Sequence, residues 1–243
     1  APILSSSAPR SPPLKRQIGL LAIPVGAKSR ALISPVIRKF KNAGFHIYLF
    51  HYDTSGPWQE YAREYPSVTA PGQAKFWFAK RYLPPQVVEN YEYIFLWDDD
   101  VGFLDIDAWD PVEFVRIMRT YAIHVAQPAI VDGLKDYAQA KVVKWNPRAG
   151  TGRWTSFVEM MFGVYSREAW QACIWELLPW NGRSYWGTDF AFYPHCAAAG
   201  YCRVAVIDAM PVRHMDKHLF KSVSMENMRE MRMYVDAYVR IMC

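Results

Sequence analysis

Three consecutive carboxylates, Asp98, Asp99 and Asp100, follow the apolar run Tyr93-Ile94-Phe95-Leu96-Trp97. Like charges at the end of a buried strand repel, and a hard cation with oxygen ligands, Mn²⁺ or Mg²⁺, is the natural neutraliser. A solvated acidic loop or a helix-capping cluster explains the triplet equally well. A Ca²⁺ loop beginning at Asp98 would put Gly102 where a ligand belongs. A haloacid-type phosphatase would carry Thr or Val two residues after its second Asp and early in the chain, and this cluster is central.

Two further groups can do chemistry. Trp186-Gly187-Thr188-Asp189 opens a predicted helix. Asp189 there reads first as a first-turn or capping acid favoured by the helix dipole. In a cleft at the strand ends it becomes a general base toward a hydroxyl. Val212-Arg213-His214 is a strand followed by a histidine, and His214 with His218 makes an i,i+4 pair. No HExxH and no third soft ligand accompanies that pair, so zinc is disfavoured.

The elements that must position these residues follow from hydrophobic periodicity. Strands are predicted over 18–25, 46–50, near Val68, and over 93–97, 123–126, 157–165, 204–207 and 211–213. Helices are predicted over 29–42, capped by Ser29 and stopped at Gly44, over 75–82, from Pro111, over 167–178 and over 189–199. Repeated strand–helix–strand units imply an α/β fold with a mainly parallel sheet, helices on both faces, and ligands beyond the carboxyl ends of the strands. Met228, Met231, Tyr234 or Val235, Tyr238 and Ile241 recur at helical spacing, which reads as a packing face.

Composition bounds the function. The chain has 243 residues, 51% hydrophobic and 21% charged, which suits a packed core. Residues 1–14 are Ser/Pro-rich and read as a flexible arm or the remnant of a stem, with one folded domain over 15–243. The net charge of +5 suits an anionic small ligand, and the dispersed basic residues argue against nucleic acid. No apolar run is long enough for a membrane span. Membrane attachment is expected only through a removed N-terminal anchor. Four cysteines lack CxxC spacing. Cys196 with Cys202, Cys173 with either of them, or free thiols throughout are all open.

Taken in order, a DxD after a central strand, a WGxD opening a later helix and a VxH after a late strand resemble the signature of GT-A glycosyltransferases. The blocks IGLLAIPVGAKSR, YLFHYD, GQAKFWFAKRYLPP, YEYIFLWDDDVGF, AQPAI, FVEMMFGVYSREAW, WGTDFAFYPHCAAAGYCRVAVID and VRH resemble the plant and algal family known as domain of unknown function 707, which is regarded as glycosyltransferase-like. The likeness runs from about Gln17 to His218. It departs at Asp99, where Glu is usual, and is poor over 135–155.

The resemblance implies a GT-A-like, Rossmann-like fold and metal-dependent transfer of a sugar from a nucleotide-sugar donor, a UDP-sugar favoured, to a glycan or other acceptor hydroxyl. An inverting mechanism is favoured. Asp98, Asp100 and His214 would hold Mn²⁺ (or Mg²⁺), and Asp189 would be the base. Pro24, Val25 and Gly26 would line the nucleotide base, and Asp53 the base or ribose. Asp99 and one or more of Lys75, Lys80 and Arg81 would serve the donor, with the cations toward the diphosphate. Glu159, Trp186 and Gly187 would meet the acceptor. A Golgi-lumenal enzyme with its anchor removed is the implied setting. The rivals are a nucleotidyltransferase, which would want more than the single glycine of Pro24-Val25-Gly26-Ala27-Lys28, and a non-catalytic carbohydrate-binding module, from which loss of a site group would be expected.

Overall fold

The computed structural model describes residues 16–61, 63–132, 138–182, 185–215 and 229–234. The predicted arm, His218, Met228, Val235, Tyr238, Ile241 and Cys243 lie outside the described residues. The chain opens as a β–α–β unit: β1 (Gln17–Val25), α1 (Arg30–Asn42) and β2 (His46–His51). Strand β1 is buried from Gly19 onward. Helix α1 turns Ile33, Val36, Ile37 and Phe40 inward at i, i+3, i+4 and i+7. Each such side chain contributes roughly 1.5–3 kcal/mol on full burial. Ser29 stands at the N-cap position without capping the helix; its hydroxyl binds the Gly26 backbone instead.

Strand β3 (Ser67–Thr69), α2 (Lys75–Tyr82), α3 (Pro85–Val88), β4 (Tyr91–Trp97), β5 (Val101–Gly102) and α4 (Pro111–Thr120) follow. The Asp110 side chain accepts the Val112 N–H to start α4. Then come β6 (Val125–Ile130), α5 (Ala138–Val143), β7 (Gly152–Trp154), β8 (Phe162–Ser166) and a continuous helical run of α6 (Arg167–Ala169), a π turn (Trp170–Ile174) and α7 (Trp175–Leu177). Helix α8 (Asp189–Ala198) and strand β9 (Val204–His214) complete the sheet layers, and residues 229–234 are helical.

The nine-stranded sheet runs β3-β2-β1-β4-β8-β6-β9-β5, with β7 also on β9. Strands β1 to β4, β6 and β9 point one way; β8 is antiparallel between β4 and β6, and β5 and β7 are antiparallel to β9. One face packs Phe40, Phe114 and Met118 from α1 and α4. The other packs Phe76, Phe78, Trp170 and Phe192 from α2, the π turn and α8. The fold is a mixed α/β, Rossmann-like sheet covered on both faces, as expected.

Several boundaries differ from expectation, and the strand predicted over 123–126 runs from Val125 to Ile130. The strand predicted over 157–165 begins only at Phe162, because the Glu159 N–H is given to the Gln127 side chain and not to a strand. The two late strands are one, β9, and a register shift against β6 between Pro128 and Ile130 lets it continue. Cys173 and Cys196 form a disulfide between the π turn and α8, leaving Cys202 exposed and free. No helix among the described residues is long and apolar enough to cross a membrane.

Candidate functional site

The aspartate triplet leaves β4 at the carboxyl end of the sheet, and each carboxylate takes a different partner. Asp98 Oδ1 meets Lys75 Nζ at 2.8 Å. That lysine, almost fully buried at the start of α2, also donates to the carbonyls of Met160 (2.6 Å) and Met161 (3.0 Å). Burial lifts the Asp98 carboxyl to about 6 even against the opposing pull of Lys75. Asp99 turns the other way, accepting the Tyr52 hydroxyl at 2.7 Å and bonding Ser29. Burial holds its carboxyl above the ordinary value.

Asp100 completes the triplet. Its Oδ2 lies 2.8 Å from His214 Nε2. Strand pairing sets this contact, since Val101 is in register with His214 and the Met215 N–H bonds the Asp100 carbonyl. Asp100 Oδ1 is buried without a hydrogen-bond partner. An orphan carboxylate oxygen beside an imidazole is a mixed oxygen–nitrogen donor set, which fits Mn²⁺ better than Mg²⁺. Among the described residues, no three His, Cys, Asp or Glu side chains converge to hold a metal on their own. A cation held by Asp100 and His214 would therefore need oxygens from a bound ligand.

Beside the triplet, the loop from β1 into α1 is pinned by Asp53. Its Oδ2 accepts the Ala27 N–H at 2.7 Å, and its Oδ1 accepts the Ser55 N–H at 3.0 Å and hydroxyl at 2.5 Å. The Ser55 hydroxyl and the Ala27 N–H hold this carboxyl below its ordinary value. Gly26 leaves room for its neighbours, because a Cβ would lie 2.7 Å from Asp53 Oδ2 and 2.7 Å from the Tyr52 ring and would make those side chains shift. Pro24 and Val25 are buried directly upstream. The structure thus brings Pro24, Val25, Gly26, Asp53 and Asp99 to one corner, through Tyr52.

A second centre lies on the α8 face of the sheet. Asp189, the first residue of α8, is hydrogen-bonded to the Glu159 side chain, and both are buried. Glu159 is positioned by its own N–H, donated to Gln127 Oε1, from a glutamine buried in β6. The expectation that the helix dipole keeps Asp189 ionised is corrected here. Burial, then the Glu159 carboxyl, holds it well above its ordinary value. A dipole is worth about 0.3–1 kcal/mol, whereas full burial shifts carboxyls by several units at about 1.4 kcal/mol each.

Lys80 and Arg81 are corrected as well. Lys80 Nζ donates to the Trp175 carbonyl at 2.8 Å and lies 3.7 Å from the centre of its ring. Arg81 donates to the Trp180 carbonyl at 2.7 Å and stacks on Trp77. Helical twist turns both toward the 175–180 segment, and of the three cations only Lys75 meets an aspartate among the described residues. Gly187 does not open a path for substrate. Its φ is +87°, and its bare side faces Met231, whose Cα would lie 2.8 Å from a Cβ. Trp186, half-buried, precedes it. The expected packing role of Met231 holds.

Tyr165 escaped the sequence reading. Its hydroxyl is fully buried without a hydrogen-bond partner, and the charges of both Asp189 and Asp98 act on it. It lies over Gly163, where a Cβ would come within 2.2 Å of it. The Gly-x-Tyr spacing within a strand, which puts both residues on one face, was the available signal. A cavity of about 470 Å³ lined by Trp154, Thr155, Tyr193 and Arg203 lies at the opposite end of β9 from His214.

No curated protein matches the chain. A family model described as protein of unknown function (DUF707) matches residues 4–243, and the chain belongs to that family.

Proposed function

We propose that the protein is a metal-dependent glycosyltransferase that moves a sugar from a nucleotide-sugar donor, a UDP-sugar favoured, to an acceptor hydroxyl with inversion. The observation that carries this reading is the approach of Asp100 and His214 at the carboxyl ends of the strands, with an unpartnered Asp100 oxygen. A divalent cation held by these two would neutralise the departing diphosphate. Lys75 supports Asp98 beneath it. Gly26, Asp53 and Asp99 border the corner expected for the nucleoside.

At the second centre, the ionised carboxylate of Asp189 takes the acceptor's hydroxyl proton. The oxygen then bonds to the anomeric carbon as the sugar–phosphate bond breaks, and the diphosphate leaves with that electron pair. The Cys173–Cys196 disulfide suits an oxidising compartment, in keeping with a Golgi-lumenal setting.

The test is hydrolysis of a panel of nucleotide sugars with and without Mn²⁺, alongside calorimetry of UDP with Mn²⁺. Asp100→Ala and His214→Ala should each abolish Mn²⁺-dependent binding in a folded protein. Unchanged affinity in both variants, or better thermal protection by GDP or CMP than by UDP, overturns the metal or the donor assignment respectively.

A further inference from the structure

We propose that the groove around Trp154 is a second carbohydrate site, which grips an acidic, uronate-bearing glycan chain far from Asp100 and His214. The proposal rests on the glycosyltransferase reading only for the use of that grip, which is to hold an acceptor polymer away from its reacting end.

Trp154 is the platform. It closes the three-residue strand β7 and is 56% exposed. A scattered exposed ring is ordinary on a protein surface. This one walls two cavities, of about 470 Å³ and 260 Å³, and is the residue they share. The larger falls within the range of small-molecule sites. The ring is also fixed, because β7 is tied to β9. Trp154 pairs with Ala205, and the Thr155 N–H donates to the Val204 carbonyl at 3.0 Å. Gly152 lies so close to β9 that a Cβ would stand 2.5 Å from the Val206 carbonyl oxygen. A platform held this way loses little freedom when a ligand covers it.

Arg203 supplies the charge. Its guanidinium lies 4.9 Å from the centre of the Trp154 ring, and its Nε donates to the Tyr121 carbonyl at 2.9 Å. Its two terminal nitrogens have no partner among the described residues. A planar fork held at its base and open at its tip matches a carboxylate, which it binds through two parallel hydrogen bonds. No acidic side chain among the described residues lines either cavity. Arg153, on the smaller one, is engaged by Asp208 and by the carbonyls of Val142 and Lys144. Arg203 is the cation left for a ligand.

A surface latch would explain the stacking of Arg203 on Trp154 and nothing more. Arg203 lines only the larger cavity, whereas Trp154 also faces the smaller one beside Tyr121. Tyr193 from α8 adds a second ring to the larger, and Ser156 a hydroxyl. Aromatic walls with one fixed cation select a ring that has an apolar C–H face and a carboxylate, and a pyranose uronate has both. Strand β9 separates this groove from the metal centre: Val204 at its start borders the groove, and His214 at its end meets Asp100. Its 11 residues span roughly 30 Å. A monosaccharide cannot touch both ends, so the groove serves a chain.

Calorimetry of the wild-type protein with a tetramer of galacturonate, without Mn²⁺ or nucleotide, tests the site. The tetramer should bind, and cellotetraose, its neutral counterpart, should bind at least about tenfold more weakly. Trp154→Ala and Arg203→Gln should each weaken the tetramer about tenfold or more, while Trp154→Tyr keeps most of the affinity. Arg203→Lys should lose nearly as much as Arg203→Gln, because lysine keeps the charge without the fork. Cys202 reports the location. It is a free, exposed thiol on the wall of the larger cavity, so the tetramer should shield it from iodoacetamide in wild type and not in Trp154→Ala. Melting temperatures matching wild type keep a folding defect from imitating these losses. No binding, equal binding of cellotetraose, or affinity unmoved in both Trp154→Ala and Arg203→Gln overturns the proposal. Asp100→Ala should leave tetramer binding unchanged, and Trp154→Ala should leave Mn²⁺-dependent nucleotide-sugar hydrolysis unchanged. If no nucleotide sugar is turned over while the tetramer still binds at Trp154, the glycosyltransferase reading falls and the groove stands. If hydrolysis is seen and the tetramer does not bind, the groove falls and the enzyme reading stands.

Discussion

Lys75 Nζ lies 2.8 Å from Asp98 Oδ1, and the lysine side chain is only 6% exposed. Breaking a buried pair from one side leaves an uncompensated charge, at a cost of about 3–5 kcal/mol. Asp98 retains 30% exposure, so the lower figure applies. Lys75→Met should therefore lower unfolding stability by about 3 kcal/mol, and the double variant Lys75→Met with Asp98→Asn should recover most of that loss. Urea titration of the three proteins checks it. A Lys75→Met protein within about 1 kcal/mol of wild type would mean that water screens Asp98.

Gly187 makes a different kind of demand. Its φ of +87° costs an L-residue about 1–2 kcal/mol, and the neighbouring Met231 Cα is backbone, which cannot swing aside. Gly187→Ala should cost more than 2 kcal/mol and loosen the 229–234 helix from the Trp186–Asp189 turn. Differential scanning calorimetry gives the first, and hydrogen exchange at residues 229–234 the second. A variant with wild-type stability would restore the idea that this glycine serves a ligand.

Tyr165 holds a fully buried hydroxyl with no partner over Gly163. Leaving such a group unsatisfied costs about 1–3 kcal/mol. Tyr165→Phe should therefore gain about 1 kcal/mol in stability. If a bound substrate supplies the missing partner, the same variant loses transfer rate. Gaining stability and losing turnover together identify a group held unsatisfied for a ligand. Unchanged stability would show that the hydroxyl is already satisfied.

The register of elements was largely legible because it lies in local pattern. The 75–82 helix stood at its observed limits, and the apolar run ending in Trp97 located the strand that delivers the aspartates. What escaped are relationships created by β8. This strand enters antiparallel between two strands that run the other way, and it sets Tyr165 opposite Ile94 and Val125. Nothing in the local spacing of 157–166 announces that insertion. The same limit explains Lys80 and Arg81: their helix was read correctly, but which way it faces depends on where Trp175 and Trp180 return. The charge state of Asp189 was misjudged because dipole effects are visible from sequence position, whereas burial beside Glu159 is not.

Burial gives Asp189 a pH signature opposite to that of an ordinary salt-bridged carboxylate. Its folded carboxyl is held well above the ordinary 3.8. The folded state therefore binds more protons than the unfolded chain across the interval between those values. Its contribution to stability is fully present below about 3.8 and is lost as pH rises through the folded value. Asp189→Asn removes this titration. Wild-type stability should fall relative to the variant as pH goes from 4 toward 8, and at neutral pH Asp189→Asn should be at least as stable as wild type. Transfer should nonetheless drop by about a hundredfold or more, because Asn accepts no proton. Urea midpoints across the pH series, with initial rates on the same samples, make the comparison. Parallel stability curves would remove the buried-acid account, and near-wild-type turnover would leave the reaction without its base.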